Sequence, residues 1–124
     1  MILGIYGAGG LGREVFVLAT TINEAKKRWS EIIFIDDADI EYNLRNISIL
    51  KFAEIQKKYS LKDIEFCIAI GEPAIRKLLY HKLDSNGMKL TTLIHPDVTI
   101  PESTTIGIGT IICKFVSISC DIII

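Results

Sequence analysis

The chain has 124 residues, with 14 Lys and Arg against 15 Asp and Glu, a formal net charge of -1 and 49% hydrophobic residues. That length fits one ordinary domain, or one domain plus the start of another, and the hydrophobic content argues against a disordered chain. The near-neutral balance, with a sequence pI of about 6.1, leaves no basic footprint for nucleic acid and no polybasic membrane anchor. Small molecules or other protein chains are the expected partners.

The opening Ile2 to Tyr6 is short and apolar and runs into Gly7-Ala8-Gly9-Gly10-Leu11-Gly12, a buried strand ending in a tight turn. Leu11, Val15, Leu18, Ile22, Ala25 and Trp29 then recur at helical spacing, the stripe of an amphipathic helix lying on a sheet. Ile32 to Ile35 has no polar alternation, as a parallel strand covered on both faces requires, and Asp36-Asp37 stops it. A short strand is expected around Ile47 to Ile49 and a helix from about Lys51 to Tyr59. Phe66 to Ile70 is a third strand run closed by Gly71. Pro73 opens a helix with the stripe Ile75, Leu78, Leu79 and Leu83, and Asn86-Gly87 ends it. Strands alternating with helices predict an α/β fold, a Rossmann-like parallel sheet with flanking helices, over residues 1–94.

After Leu93-Ile94-His95-Pro96 the period changes, and Ile100, Ile106, Ile112, Ile118 and Ile124 stand six apart. Nine of the 25 residues from Ile100 to Ile124 are isoleucine. A six-residue apolar period fits a parallel β-helix, so residues 95–124 are expected to form its first coil, apparently truncated. Three cysteines, Cys67, Cys113 and Cys120, with no CxxC pair, fit reduced thiols. The N-terminus lacks the charged start of a signal peptide, and no run is long enough to insert into a membrane, so a cytoplasmic protein is expected.

Gly7, Gly9 and Gly12 fit G-x-G-x-x-G between a strand and a helix, where glycines let backbone approach a ligand and free N–H groups attract phosphate. A nucleotide diphosphate is the expected guest; the competing explanation is that these glycines only permit close strand-to-helix packing. Asp36 and Asp37 follow the second strand, where a ribose or base is placed in a dinucleotide site, or else they form a solvated turn. Gly71 lies on the same rim, as a pocket residue or a plain turn glycine. Glu72 reads as a helix-start residue, Arg13 and His81 as solvated, and His95 as fixing the chain turn before Pro96. No nucleophile elbow or metal-ligand spacing occurs, and the thiols lie in apolar surroundings, so neither a catalytic residue nor a metal site is expected.

The segments GIYGAGGLGREV, IIFIDD, CIAIGEPAIRKLL and LIHPDVTIPESTTIGIGTII, in that order, resemble the bacterial sialic acid O-acetyltransferase (NeuD-like) family of sugar acyltransferases. They are also similar to the related N-acetyltransferases of UDP-linked amino sugars in glycan assembly. The resemblance implies a nucleotide-sugar domain, UDP-sugar being the first choice, followed by a left-handed β-helix that binds acetyl-CoA and forms homotrimers. It implies that Gly7, Ala8, Gly9, Gly10, Leu11 and Gly12 cradle the diphosphate, with Asp36 and Asp37 near the nucleoside and Gly71 beside them. The family often has histidine or phenylalanine where Leu11 stands. Its general-base histidine belongs to a later coil and has no match here, so the chain is expected to bind the nucleotide-sugar, as an isolated domain or a prematurely ended protein, without transferase activity of its own. Two other classes share some features: an NAD(P)-binding redox domain, which leaves the six-residue repeat unexplained, and a non-catalytic assembly module.

Overall fold

The computed structural model describes residues 1–38 and 47–114. Its elements run β1 (Ile2–Tyr6), α1 (Gly10–Lys26), β2 (Glu31–Ile35), β3 (Ile49–Leu50), α2 (Phe52–Lys58), β4 (Ile64–Ile68), α3 (Pro73–Ser85), β5 (Lys89–Leu90), β6 (Leu93–Ile94) and β7 (Ile111–Ile112). The first five strands form one sheet in the order β3-β2-β1-β4-β5, with every pairing parallel. The chain thus winds outward from β1 to β3, returns to the other side of β1, and winds outward again.

Both faces of this sheet are covered, which is why its central strands read as apolar runs with few polar interruptions. Leu3 and Ile5 of β1, Phe34 of β2 and Cys67 of β4 face α1, packing with Val15, Leu18, Ala19 and Ile22. Alternate residues point the other way: Tyr6, Ile33, Ile35, Phe66 and Ile68 pack with Phe52 and Ile55 of α2 and Leu83 of α3. The absent side chain of Gly4 belongs to this second core, since a Cβ there would lie 2.9 Å from Ile35 and 3.0 Å from Phe66.

The helix stripes need two corrections. α1 ends earlier than its stripe, because Lys27 turns left-handed at φ 48°. Leu11 and Ala25 are exposed, whereas Trp29 is buried beyond the helix. Asn23 holds that exit with both ends of its amide, accepting from Trp29 N–H at 2.7 Å and donating to Trp29 C=O at 2.9 Å. The buried indole Nε1–H then donates to Glu65 at 2.6 Å, while Arg28 lies over the ring and donates to Thr91 at 2.8 Å. On α3 only Leu83 is fully buried; Ile75 and Leu78 are 47% and 68% exposed.

Beyond β5 the chain passes to the α1 side, where Leu93 joins the α1 core. β6 pairs in parallel with β7, Leu93 with Ile111 and Ile94 with Ile112, partners three six-residue units apart. Ile94 is itself in phase with the isoleucine period. Ile112 is buried and Ile100 and Ile106 half-buried; Ile118, Ile124 and Cys120 lie outside the described residues. Among the described residues no helix is long and apolar enough to cross a membrane.

Candidate functional site

In a parallel sheet of this winding, the connections leaving β1 and β4 depart in opposite directions and open a crevice beyond their carboxyl ends. The glycine loop and Gly71 stand there. Ala69 N–H donates to Tyr6 C=O at 2.8 Å and Gly7 N–H to Ile35 C=O at 2.7 Å, so the loop is anchored to the ends of both neighbouring strands.

The loop glycines divide into two kinds. Gly7 has φ 119°, and a Cβ there would stand 2.7 Å from Ala69 C=O; a Cβ on Gly12 would stand 2.0 Å from the carbonyl oxygen of Gly7. Close packing accounts for these two completely. Gly9 and Gly10 face open space, with nothing within 4 Å of a Cβ, and packing does not account for them. Gly9 caps α1 without a side-chain hydrogen bond, and no acid occupies the first helical turn, so no side chain of the helix itself compensates the positive end of its dipole. Gly71 is similarly open: its Cβ would just touch the exposed Leu11 at 4.0 Å.

The two aspartates separate. Asp36 turns to the loop, one carboxylate oxygen accepting Ala8 N–H at 3.0 Å and the other Ala38 N–H at 3.0 Å. Asp37 turns to the opposite face of the sheet. It accepts the Tyr6 hydroxyl at 2.5 Å, the Lys82 ammonium at 2.9 Å and, through its second oxygen, the Phe52 N–H that starts α2 at 2.9 Å. Lys82 also donates to the Tyr6 oxygen at 2.8 Å and lies over the Phe52 ring.

The charges follow from this geometry. Burial, then the Asp37 carboxylate, pushes the Tyr6 hydroxyl up to about 12. Burial works to raise Asp37, but the bonds from Tyr6, Phe52 and Lys82 outweigh it and hold the carboxyl at about 2. Burial works to lower Lys82, and its bonds to Tyr6 and Asp37 reverse that, leaving it raised. The trio is therefore a carboxylate, an ammonium and a neutral phenol at neutral pH. Sequence reasoning missed Tyr6 and Lys82; the available signals were a hydroxyl ending an apolar strand and a lysine three residues after Leu79, on the buried side of α3.

Other candidates take structural places. Glu72 caps α3 by accepting Ile75 N–H at 2.7 Å. His81 is exposed, and the buried His95 accepts Asp97 N–H on Nδ1 at 3.0 Å within the turn after β6. Burial pushes the Cys67 thiol up to about 12, so it stays protonated and unreactive. A surface groove of about 340 Å³, with no residue of the glycine loop in its lining, lies where Pro73, Arg76 and Tyr80 of α3 face Leu90, Ile108 and Gly109. Arg76 reaches across one side of it toward the Gly109 carbonyl at 3.5 Å.

Comparison with known proteins adds four findings. The family model described as the PglD N-terminal domain matches residues 3–83. A GDP-perosamine N-acetyltransferase of Escherichia coli O157:H7 is 31% identical over 117 residues, 94% of this chain and 52% of that protein. A UDP-N-acetylbacillosamine N-acetyltransferase of Bacillus subtilis (strain 168) is 38% identical over 52 residues, 42% of this chain and 24% of that protein. Among solved structures, the acetyltransferase domain of PglB from Neisseria gonorrhoeae FA1090 in complex with acetyl coenzyme A superposes with a TM-score of 0.75 at 29% identity, over 89% of this chain and 51% of that one. The chain spans about half the length, or less, of the curated relatives it matches. The resemblance to sugar acetyltransferases drawn from the sequence motifs is borne out.

Proposed function

The chain belongs to the family of PglD N-terminal domains, and from that premise we propose that residues 1–94 hold a nucleotide-linked amino sugar for acetyl-CoA-dependent acetylation in glycan assembly. The observation that carries the reading is the pair Gly9 and Gly10. They stand bare at a helix start with no acid in its first turn, in the crevice where such sheets bind ligands, and packing gives no reason for their being glycine. Gly7 and Gly12 bring the helix close, Gly9 to Leu11 offer N–H groups to the diphosphate, and Asp36 and Gly71 border the nucleoside side. The relatives' names pair one amino sugar with GDP and another with UDP. Either base is therefore compatible with the family, and UDP is no longer the first choice by name alone.

Residues 95–124 begin a left-handed β-helix in this reading. Supporting it are the isoleucines six apart and the β6–β7 rung joining residues three units apart. Acetyl-CoA supplies the acetyl group as a thioester, and its site, together with the base that takes the proton of the attacking sugar amine, belongs to further coils of a longer, trimeric enzyme. The redox-domain alternative is not favoured by the family match or by the N-acetyltransferase relative. The assembly-module alternative leaves the bare Gly9 and Gly10 without a purpose.

A thermal-shift titration tests the reading, using this chain with GDP, UDP, amino sugars linked to each, NADH and acetyl-CoA. Selective binding to the folded state adds about 2.7 kcal/mol at a hundredfold excess over Kd. Stabilisation by one nucleotide and its amino sugars is expected. Stabilisation by NADH alone would overturn the proposal.

A further inference from the structure

The Tyr6–Asp37–Lys82 cluster lies on the opposite face of the sheet from the glycine loop, yet it grips the residue next to the one that holds that loop. Asp37 receives three donors from three elements: the hydroxyl at the end of β1, the ammonium of α3 and the first N–H of α2. Its neighbour Asp36 points the other way and accepts Ala8 N–H at 3.0 Å. Backbone bonds fix the same short stretch, Asp36 N–H donating to Leu50 C=O at 3.0 Å. Asp36 and Asp37 share one peptide unit just past β2 and bond to opposite sides of it, so holding the Asp37 side chain and the Asp36 N–H also limits how the backbone at Asp36 can turn its carboxylate.

We propose that Tyr6 and Lys82 are positioning residues, which lock Asp37 and thereby hold Asp36 against Ala8, keeping the glycine loop in the shape that receives a diphosphate. Ala8 N–H is already bound to a carboxylate, so the loop presents phosphate with the N–H groups of Gly9 to Leu11 and keeps Asp36 at a fixed distance from the anion. Without the lock, Asp36 is free to swing into the open space beside Gly9, where its charge repels the phosphates. The ligand in this proposal rests on the nucleotide-sugar reading; the lock itself does not.

The test therefore reads both. In uniformly 15N-labelled chain, the Ala8 amide shift and its hydrogen exchange report the Asp36 bond, and calorimetric titration with GDP and with UDP reports affinity. Lys82→Met is expected to move the Ala8 amide upfield, speed its exchange and weaken nucleotide binding about tenfold, as loss of an orienting partner does elsewhere. Lys82→Arg, which keeps a donor to Asp37, is expected to restore affinity to within about twofold, and Tyr6→Phe to fall between them. An Ala8 amide unchanged in both Lys82→Met and Tyr6→Phe overturns the lock, even if melting temperature drops. Wild-type chain that binds neither GDP nor UDP overturns the nucleotide reading instead, while the amide still decides the lock.

Discussion

Gly9→Val is expected to weaken nucleotide-sugar binding by about a hundredfold and to leave the fold standing. The position tolerates a side chain: nothing lies within 4 Å of its Cβ. Its backbone, at φ -84° and ψ -159°, is extended with negative φ, so no left-handed conformation requires glycine there. The stability cost is confined to a poorer helix cap, about 1 kcal/mol or less. The binding cost is larger, because the isopropyl group fills the space through which phosphate reaches the first helical N–H groups. One hydrogen bond to a charged group is worth about 1.5–3 kcal/mol, and 2.7 kcal/mol corresponds to roughly a hundredfold in Kd. Calorimetric titration beside a melting curve separates the two costs. Unchanged affinity would return the whole loop to a packing role.

Gly12→Ala, three residues on, is expected to do the opposite and lower stability by about 3 kcal/mol or more, at the top of the range for overpacked sites. Its added methyl would sit 2.0 Å from the Gly7 carbonyl oxygen, a backbone atom with little room to retreat. Gly7 is itself at φ 119° and its N–H is bound to Ile35 at 2.7 Å. Relief would require α1 to lift off the sheet, opening the core formed by Val15, Leu18, Ala19 and Ile22. The urea midpoint measures the loss. A midpoint within error of wild type would contradict the division of the loop into packing glycines and open ones.

That division was not legible in the sequence. G-x-G-x-x-G marks all three glycines alike, and only the approach of α1 to β1, a tertiary distance, distinguishes Gly12 from Gly9. The central strands were legible because both faces of the sheet are covered, which leaves β1, β2 and β4 as apolar runs with few polar interruptions. The α3 stripe was read correctly as helical, but its spacing does not show which of its residues are buried. Ile75 and Leu78 are exposed because α3 lies toward the edge of the sheet, where β5 contributes only two residues, and periodicity does not reveal how wide a sheet lies beneath a helix. Trp29 continued the α1 stripe by coincidence of spacing, and its burial comes from the Asn23 and Glu65 bonds beyond the helix end. The Tyr6–Asp37–Lys82 cluster joins residues 31 and 45 positions apart, a separation that no local pattern encodes. Asp36 and Asp37 were identified as a pair, yet the structure gives them different faces and different partners.

The central claim is that phosphate binds at the open glycines, and it is tested most directly by an amide-resolved NMR titration of the 15N-labelled chain with GDP and with UDP. The account predicts that the largest shifts fall on Gly9, Gly10 and Leu11, with smaller ones at Ala8 and Gly71. Shifts concentrated instead on Arg76, Tyr80, Ile108 and Gly109, around the groove beside α3, would contradict it.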